Sequence, residues 1–569
     1  MASISLPSAQ VGARYSFLRK NKTWPLRVEP IGQDIIADAE VGAYLELTAA
    51  ETFVTVSCNE DGFWSLQAHE GETRFEIGLG RTYYMATTGS DSNPGTSLLP
   101  RLTLKSAAKL LAPGDKLIVK DGTYTGFAND FTSDIASGAM PRGKKGRWIT
   151  VQAENRGAAI FTSSVSFYDG DAEPDEHFLK LDGLIFNKEE IKRFNVSRLK
   201  AMNCGFRGGD TTGNAGHVSV GGGSHEFIGA ENVLFEDCWA WGPGGRYKFL
   251  AYNSRKVIFR RCVARWDQGW NDVANLGYNS ADFMIYDCRQ SRVQNCISID
   301  SMRPSSNPQN YGATFRIETN YNTTADVTFS GCIAVNNQAA MFNINGLTLS
   351  SIGSPAISAQ RMQHGSGILV EHCAGALIGS TDNPHGFESY RGLDVTFLNC
   401  TIAHLKQNGV AFLGGSNVRS GVATRFINPL TILNGTGSAN SGGVVTNALT
   451  YATLALGKAA GGWYLPSPKY STATPPEDAI YGSWAGAHIL FRIGHTGTLF
   501  DDPGMDAHGD GTSAGNSLWP FPNEALIKTT MSAAGGFGDT DRDWTAGAST
   551  LTQYIWGILG NAGPPANLN

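Results

Sequence analysis

A six-residue phrase ending in cysteine recurs along this chain. Its copies end at Cys204, Cys238, Cys262, Cys296, Cys332, Cys373 and Cys400. Apolar and polar residues alternate within each copy, which predicts a short strand with one buried face. The shortest interval, from Cys238 to Cys262, is 24 residues, and longer intervals carry added Gly, Asn and Pro. A strand motif that recurs along the chain, with insertions always at the same position of the repeat, is typical of a solenoid. Because the unit is strands and turns, we predict an all-β right-handed parallel β-helix.

Two residue types keep a fixed position when the repeats are aligned. Three phenylalanines share one position: Phe249, Phe283 and Phe387. Five cysteines share another: Cys238, Cys262, Cys296, Cys332 and Cys400. Identical residues stacked coil on coil bury one another, and a free cysteine packs there as a small hydrophobe. We therefore predict two inward ladders with reduced thiols, since nine cysteines, an odd number, do not favour a disulfide framework.

Composition restricts the classes of partner. The net charge is −6, which gives no reason to expect nucleic acid or an anionic membrane. No apolar run reaches the roughly 18 residues that a membrane helix needs. The first residues lack a basic segment followed by an apolar one, so no secretory signal is visible. We expect no membrane insertion.

The pattern predicts three domains. Residues 1–82 alternate in short segments, which predicts a small β module. The stretch from Ser5 to Phe17, with Asp61-Gly-Phe-Trp-Ser-Leu, resembles modules of phage tail fibres. That resemblance implies a homotrimer and an extracellular or virion-associated location.

Residues 83–430 are predicted to form the coils. A helix at about 102–111, with Leu104, Ala107 and Ala108 on one face, would cap their open end. The sequence from Tyr84 through Pro113-Gly114 resembles the N-terminal segment of pectate-lyase-like β-helix proteins. Residues 431–569 are predicted to be an irregular capping extension. Its aromatic residues would pack over the last coils: Trp519, Phe521, Tyr554 and Trp556.

The insertions between Cys238 and Phe315 are richest in candidate functional residues. Side chains in a β-helix core fill the ladders, so function is expected on outward residues and loops. The cations there are Arg246, Lys248, Arg265, Arg303 and Arg316. Three tryptophans could stack on sugar rings in one groove: Trp241, Trp266 and Trp270. The pattern predicts a polysaccharide substrate, and the cations favour an anionic one.

The first chemical interpretation is a lyase that cleaves a uronic-acid polysaccharide by β-elimination. Such an enzyme neutralises a carboxylate, removes the adjacent proton and protonates the leaving oxygen. Gly245-Arg-Tyr-Lys-Phe-Leu resembles the strand that carries the base lysine in one pectate lyase family. The resemblance implies Lys248 as base. Beside it, Arg246 would supply a cation and Tyr247 would shuttle protons. Calcium would be held by Asp267, Asp272 and Asp282, although the tight Asp cluster of that family is not reproduced.

Three alternatives stay open. A tailspike-type glycoside hydrolase would use two carboxylates roughly 5–9.5 Å apart. The candidates for such a pair are Asp267, Asp272, Asp282, Asp300 and Glu318. The stretch Asp382-Asn-Pro-His-Gly resembles a motif of mannuronan epimerases, and His385 is the candidate functional residue that this resemblance implies. A non-catalytic glycan-binding spike is the third alternative.

Overall fold

A computed structural model describes the strand segments within residues 2–76 that are named below. It also describes residues 80–132, 140–168, 176–208, 216–222, 229–242, 246–267, 280–301, 312–319, 324, 326–337, 340–345, 367–376, 386–390, 394–403, 410–415, 423–432, 438–451, 489, 492, 517–533, 543–547 and 549–558. The chain divides into two compact units. The smaller comprises residues 1–119, 140–152 and 176–180, and the larger holds the rest.

Two four-stranded sheets form the N-terminal part of the smaller unit. One contains Ala2–Ser5, Leu26–Glu29, Tyr44–Leu47 and Thr73–Glu76. The other contains Arg14–Arg19, Thr52–Glu60, Phe63–Glu70 and Ile35–Ile36. Most of the pairs are antiparallel. Strands are thus found where residues 1–82 predict a β module.

The assembly of this chain stays a prediction from the tail-fibre resemblance. We expect a homotrimer, so light scattering should return about three times the mass of one chain. A single-chain mass at all protein concentrations would contradict the trimer.

The smaller unit also contains parallel strands and a helix. The strands are Thr82–Met85 and Lys116–Val119, together with most of Ile149–Ala153 and Glu176–Asp182. Helix α1, Leu104–Ala108, is shorter than the predicted helix at 102–111. The Thr103 hydroxyl accepts a hydrogen bond from the Ser106 backbone N–H at 3.2 Å, which fixes where the helix starts. As predicted, Leu104, Ala107 and Ala108 are its buried side chains.

Three parallel sheets build the larger unit. The first sheet contains Ser197–Met202, Glu231–Glu236, Arg255–Arg260, Arg292–Gln294, Val327–Ser330, Ile368–Glu371, Val395–Leu398, Arg425–Ile427 and Val444–Thr446. The second sheet contains Gly122–Tyr124, Ala159–Phe161, Leu184–Phe186, Gly205–Arg207, Trp239–Trp241, Val263–Ala264, Ile297–Ile299, Ile333–Val335, Ala374–Ala376, Thr401–Ala403, Leu430–Ile432 and Leu449–Tyr451. The third sheet contains Phe131–Thr132, Val165–Tyr168, Lys192–Asn195, Gly216–Gly221, Tyr247–Tyr252, Ser280–Tyr286, Gly312–Glu318, Ala340–Asn345, Phe387–Tyr390, Val410–Leu413 and Ser438–Ser441. Each strand pairs with the equivalent strand of the next coil, which confirms the right-handed parallel β-helix.

Both predicted ladders are present. Phe249 is in register with Phe283, and Phe283 with Phe315, with ring centroids 5.1 and 5.2 Å apart. The cysteines of the repeat are free and buried: Cys204, Cys238, Cys262, Cys296, Cys332, Cys373 and Cys400. The ladders are therefore part of the hydrophobic core, and the prediction of reduced, inward thiols is confirmed.

The residue before each cysteine explains the turn that joins the first sheet to the second. Its backbone has a positive φ in Asn203, Asp237, Asn295 and Asn399, among others. Asn and Asp adopt this left-handed conformation at lower cost than most residues. Asn428 Nδ2 donates to Asn399 Oδ1 at 2.9 Å, so the turns also bond to each other. An Asn or Asp thus favours the corner in four copies and Gly331 does so before Cys332, while Arg261 and His372 adopt the same conformation in the other two.

The coils continue past the predicted boundary at residue 430. Ser438–Ser441, Val444–Thr446 and Leu449–Tyr451 add strands to the third, first and second sheets. The Gly- and Thr-rich sequence there hides the repeat because it lacks the cysteine phrase.

The C-terminal helices do not pack over the last coils alone, which corrects the expected placement. Helix α2, Glu524–Ala533, a 3₁₀ turn, Trp544–Ala546, and helix α3, Leu551–Ile558, follow the coils. Their apolar side chains join one cluster with second-sheet residues from Ile185 to Leu430. The outward face of that sheet is apolar and needs a cover along its length.

Among the described residues, no helix combines the length and apolar character needed to span a bilayer.

Candidate active site

Three ionisable residues occupy one position on successive coils of the third sheet. Val218 pairs with Phe249, and Phe249 with Phe283, so the preceding residues His217, Lys248 and Asp282 are equivalent. All three are buried. We call His217, Lys248 and Asp282 the polar ladder.

Lys248 is at the centre of the polar ladder. Its Nζ is 3.2 Å from Nδ1 of His217 and donates to the Gly242 carbonyl oxygen at 2.8 Å. It also lies 5.4 Å from the centroid of the Trp266 ring, a cation–π distance. Burial, helped by the positive charge of Arg265, lowers the pKa of Lys248 to about 7 although Asp267 and Asp282 oppose the shift. The amine can therefore change protonation state near neutral pH.

Asp282 is a carboxyl group held inside the protein. The hydroxyl of Ser298, on the second sheet, donates to Oδ2 of Asp282. Burial raises the pKa of Asp282 to about 6, while Ser298, Ser301 and Lys248 counter the rise. Asn337 Nδ2 donates to the Ser298 hydroxyl oxygen at 2.9 Å, so the carboxyl group has fixed surroundings. The polar ladder thus combines an amine and a carboxyl group that titrate close together.

A glycine makes room for the imidazole of His217. A Cβ built on Gly208 would lie 2.1 Å from the ring atoms of His217. Gly208 donates its backbone N–H to the carbonyl oxygen of Trp241 at 2.9 Å, which keeps it next to the ring. A larger residue at 208 would displace His217 from Lys248.

Arg265 lies in a buried ion-pair network, which corrects its expected place on an outward groove. Its Nε donates to Asp267 Oδ1 at 2.7 Å. Its Nη1 contacts Asp543 Oδ1 at 2.9 Å, and its Nη2 donates to the Met531 carbonyl oxygen at 3.3 Å. The side chain is 1% exposed. Arg265 therefore joins Asp267, beside the polar ladder, to the C-terminal segment.

The expected exposure of the tryptophans is also corrected. Trp241 is 2% exposed and Trp266 is 5% exposed. Trp239 and Trp241 belong to the apolar cluster that the C-terminal helices cover, because outward positions of the second sheet face those helices. Trp266 lies over Lys248 instead. Neither ring is an open platform for a sugar in this structure.

A second group of the predicted residues lies on the same sheet. Arg246 stacks over the Tyr247 ring at 5.0 Å from its centroid. Arg316 Nε contacts Glu318 Oε2 at 3.3 Å. Burial raises the pKa of Tyr247, with Glu318 adding to the rise, so the phenol keeps its proton. The structure thus places Arg246 and Tyr247 together, with Arg316 and Glu318 close enough to influence Tyr247.

Calcium does not fit the described carboxylates well. Asp267 is paired with Arg265, and both Asp267 and Asp282 act electrostatically on the Lys248 ammonium. No group of three His, Cys, Asp or Glu suited to a metal occurs in the described part of the chain. Asp272, Trp270, Arg303 and His385 lie outside the described residues.

His217 was missed by sequence reasoning although a signal exists. His217-Val-Ser-Val aligns with Lys248-Phe-Leu-Ala in the repeat frame, and the strand pairing follows that alignment. Asp543, in contrast, is 278 residues from Arg265. No repeat connects the two, so their contact could not be predicted.

One comparison with known proteins matches a short part of the sequence. No family model matches the chain. Over 93 residues it is 36% identical to "Pectate lyase L" of Dickeya chrysanthemi, which is 16% of this chain and 20% of the relative. The chain thus covers about a fifth of that curated relative.

Two solved structures are similar at low sequence identity. One is "Rhamnogalacturonan lyase", with 16% identity, TM-score 0.41, 72% of this chain and 100% of that one covered. The other is the pectate lyase Pel9A, with 16% identity, TM-score 0.34, 66% of this chain and 80% of that one covered. The fold itself rests on the three stacked sheets described above. The chain is a right-handed parallel β-helix protein.

Proposed function

We propose that this protein cleaves a uronic-acid-containing polysaccharide by β-elimination, with Lys248 as the general base. One observation carries the proposal: the polar ladder holds the Lys248 amine beside His217, Asp267 and Asp282, where its pKa is lowered to about 7. A base is most effective when its pKa is near the working pH. The local likeness to pectate lyase L supports the same class of substrate.

The proposed step needs no redox partner. The neutral amine of Lys248 takes the proton on the carbon next to the uronate carboxylate. The electron pair forms a carbon–carbon double bond as the bond to the leaving glycosidic oxygen breaks, and that oxygen takes up a proton. A nearby cation stabilises the negative charge that develops on the carboxylate. Because Lys248 is closed off from solvent here, substrate binding must open a path to its amine.

A panel of acidic polysaccharides tests the proposal. The purified chain is incubated with each polymer, and the ultraviolet absorbance of unsaturated uronate is measured together with new reducing ends. Both signals on one polymer are the expected result. Reducing ends without absorbance would replace the lyase with a hydrolase, and neither signal would leave a binding protein or an epimerase.

The pH dependence gives an independent prediction. Lys248 acts as a base only when neutral, so kcat/KM should rise with pH through about 7 and then level off. The measurement is kcat/KM from about pH 5 to about pH 9 at constant ionic strength. A profile that falls with rising pH over that range contradicts a lysine base.

A hydrolase with two carboxylates is the second candidate. It is favoured by the pKa of Asp282, which burial raises to about 6, as suits a general acid. Asp267 lies beside the same lysine and would be the second carboxylate. Asp282→Asn would then abolish activity while Lys248→Met preserves it.

A calcium requirement, an anionic substrate and an extracellular or virion-associated location belong to the same proposal. The calcium requirement is measured by adding EGTA and then restoring calcium. Activity lost on chelation and regained with calcium would support the calcium requirement, and activity unchanged by EGTA would contradict it. We derive no step of the reaction through calcium.

A further inference from the structure

Two tyrosines form a stacked pair on the third sheet. Tyr252 is in register with Tyr286, and Leu250 with Met284. Leu250 and Tyr252 alternate along their strand with Phe249 and Ala251, which are buried in the core. Because successive side chains of a strand point to opposite faces, Tyr252 and Tyr286 lie on the outer face of the coil.

The pair has the geometry of an aromatic platform. The ring centroids are 5.0 Å apart and the planes are tilted by 31°. Both rings are partly exposed and rest on a small apolar cluster of Tyr247, Leu250, Ala281 and Met284. The platform is thus supported from below while part of each ring reaches solvent.

Charged groups border the platform on the next coil. Tyr286 is in register with Glu318, and Met284 with Arg316. Burial, with Glu318 and Asp287, raises the pKa of Tyr286, so both the ring and its hydroxyl stay neutral. Arg316 is fully buried and pairs with Glu318, so the stacking surface is supplied by the two neutral rings, which suit the apolar face of a pyranose ring.

We propose that Tyr252 and Tyr286 form a binding subsite for a pyranose ring of an acidic polysaccharide. Tyr252 and Lys248 lie on one strand four residues apart, about 13 Å along it, so one oligosaccharide can reach both. The proposal rests on the polysaccharide substrate proposed above. It assigns to this pair the stacking role that the buried Trp241 and Trp266 do not fill.

The test is the double variant Tyr252→Leu/Tyr286→Leu, in which leucine removes the aromatic faces and keeps an apolar cover on Leu250 and Met284. For the polymer that the panel identifies, KM should rise about tenfold or more with kcat within about twofold. The variant Tyr252→Phe/Tyr286→Phe keeps the rings and should retain the wild-type KM. Phe127→Ala, at a ring 62% exposed elsewhere on the coils, is the matched surface control.

Measurements of binding affinity show whether the proposed subsite or the proposed reaction is wrong. Isothermal titration of oligosaccharides from the panel into Lys248→Met protein, with and without the tyrosine changes, measures affinity without turnover. An affinity that the leucine changes leave intact overturns the subsite. Affinity that falls about tenfold, together with no unsaturated product when the wild-type protein is incubated with any polymer of the panel, supports the subsite and rejects the lyase.

Discussion

Replacing Lys248 with methionine is expected to lower kcat by about 10²- to 10⁴-fold, the typical contribution of a general base. Methionine fills a similar volume without an amine, so the loss would come from chemistry. Turnover is measured as unsaturated uronate formed per second at saturating polymer. Lys248→Arg should be equally inactive, because an arginine keeps the positive charge but does not release its proton in this pH range.

Lys192 provides a matched control within the same sheet. It is also fully buried, and burial lowers its pKa to about 7 as well. Its ammonium donates to backbone carbonyl oxygens, among them that of Glu190 at 2.8 Å. Lys192→Met should therefore change stability and leave kcat near the wild-type value. Equal losses of kcat in both variants, or near wild-type turnover of Lys248→Met, would reject Lys248 as the base.

Arg265→Met is expected to lower the free energy of unfolding by about 3–5 kcal/mol, because it leaves buried carboxylates without their cation. Those carboxylates are Asp267, which is 1% exposed, and Asp543, which is 17% exposed. Denaturant unfolding measures the loss. Arg265 also lowers the pKa of Lys248, so its removal should move the rising limb of kcat/KM to higher pH. If Arg265 bound the sugar, its replacement would instead raise KM and leave the free energy of unfolding unchanged.

Two variants control for the Arg265 result. Arg255 pairs with Glu231 on the surface and its side chain is 45% exposed, so Arg255→Met should cost no more than about 1 kcal/mol. Adding Asp543→Asn to Arg265→Met removes one of the two uncompensated charges and should recover part of the stability. If Arg255→Met and Arg265→Met are equally stable, the buried network contributes nothing beyond a surface pair.

The repeat itself could be predicted because the residues that shape each coil are close together in the sequence. The residue before the cysteine, most often Asn or Asp, adopts the corner conformation, and alternation sets which side chains point inward. Parallel stacking then places Phe249 on Phe283, and by the same register His217 next to Lys248. Contacts between successive coils follow from aligning the repeats. The neighbourhood of Lys248 along the sheet was therefore within reach of sequence reasoning.

The strands, the ladders and the solenoid could be predicted from the sequence because they depend on residues at equivalent positions of the repeat. Which side of the coils the C-terminal segment covers could be seen only in the folded chain. Asp300 shows the reason: it accepts from the Trp544 backbone N–H at 2.9 Å and from the Tyr554 hydroxyl at 2.8 Å, 244 and 254 residues away. Such contacts form because an apolar sheet face must be covered, and no local pattern states which segment covers it. That cover also buries Arg265 and Trp241, which makes them part of the protein interior and not of a sugar-binding groove.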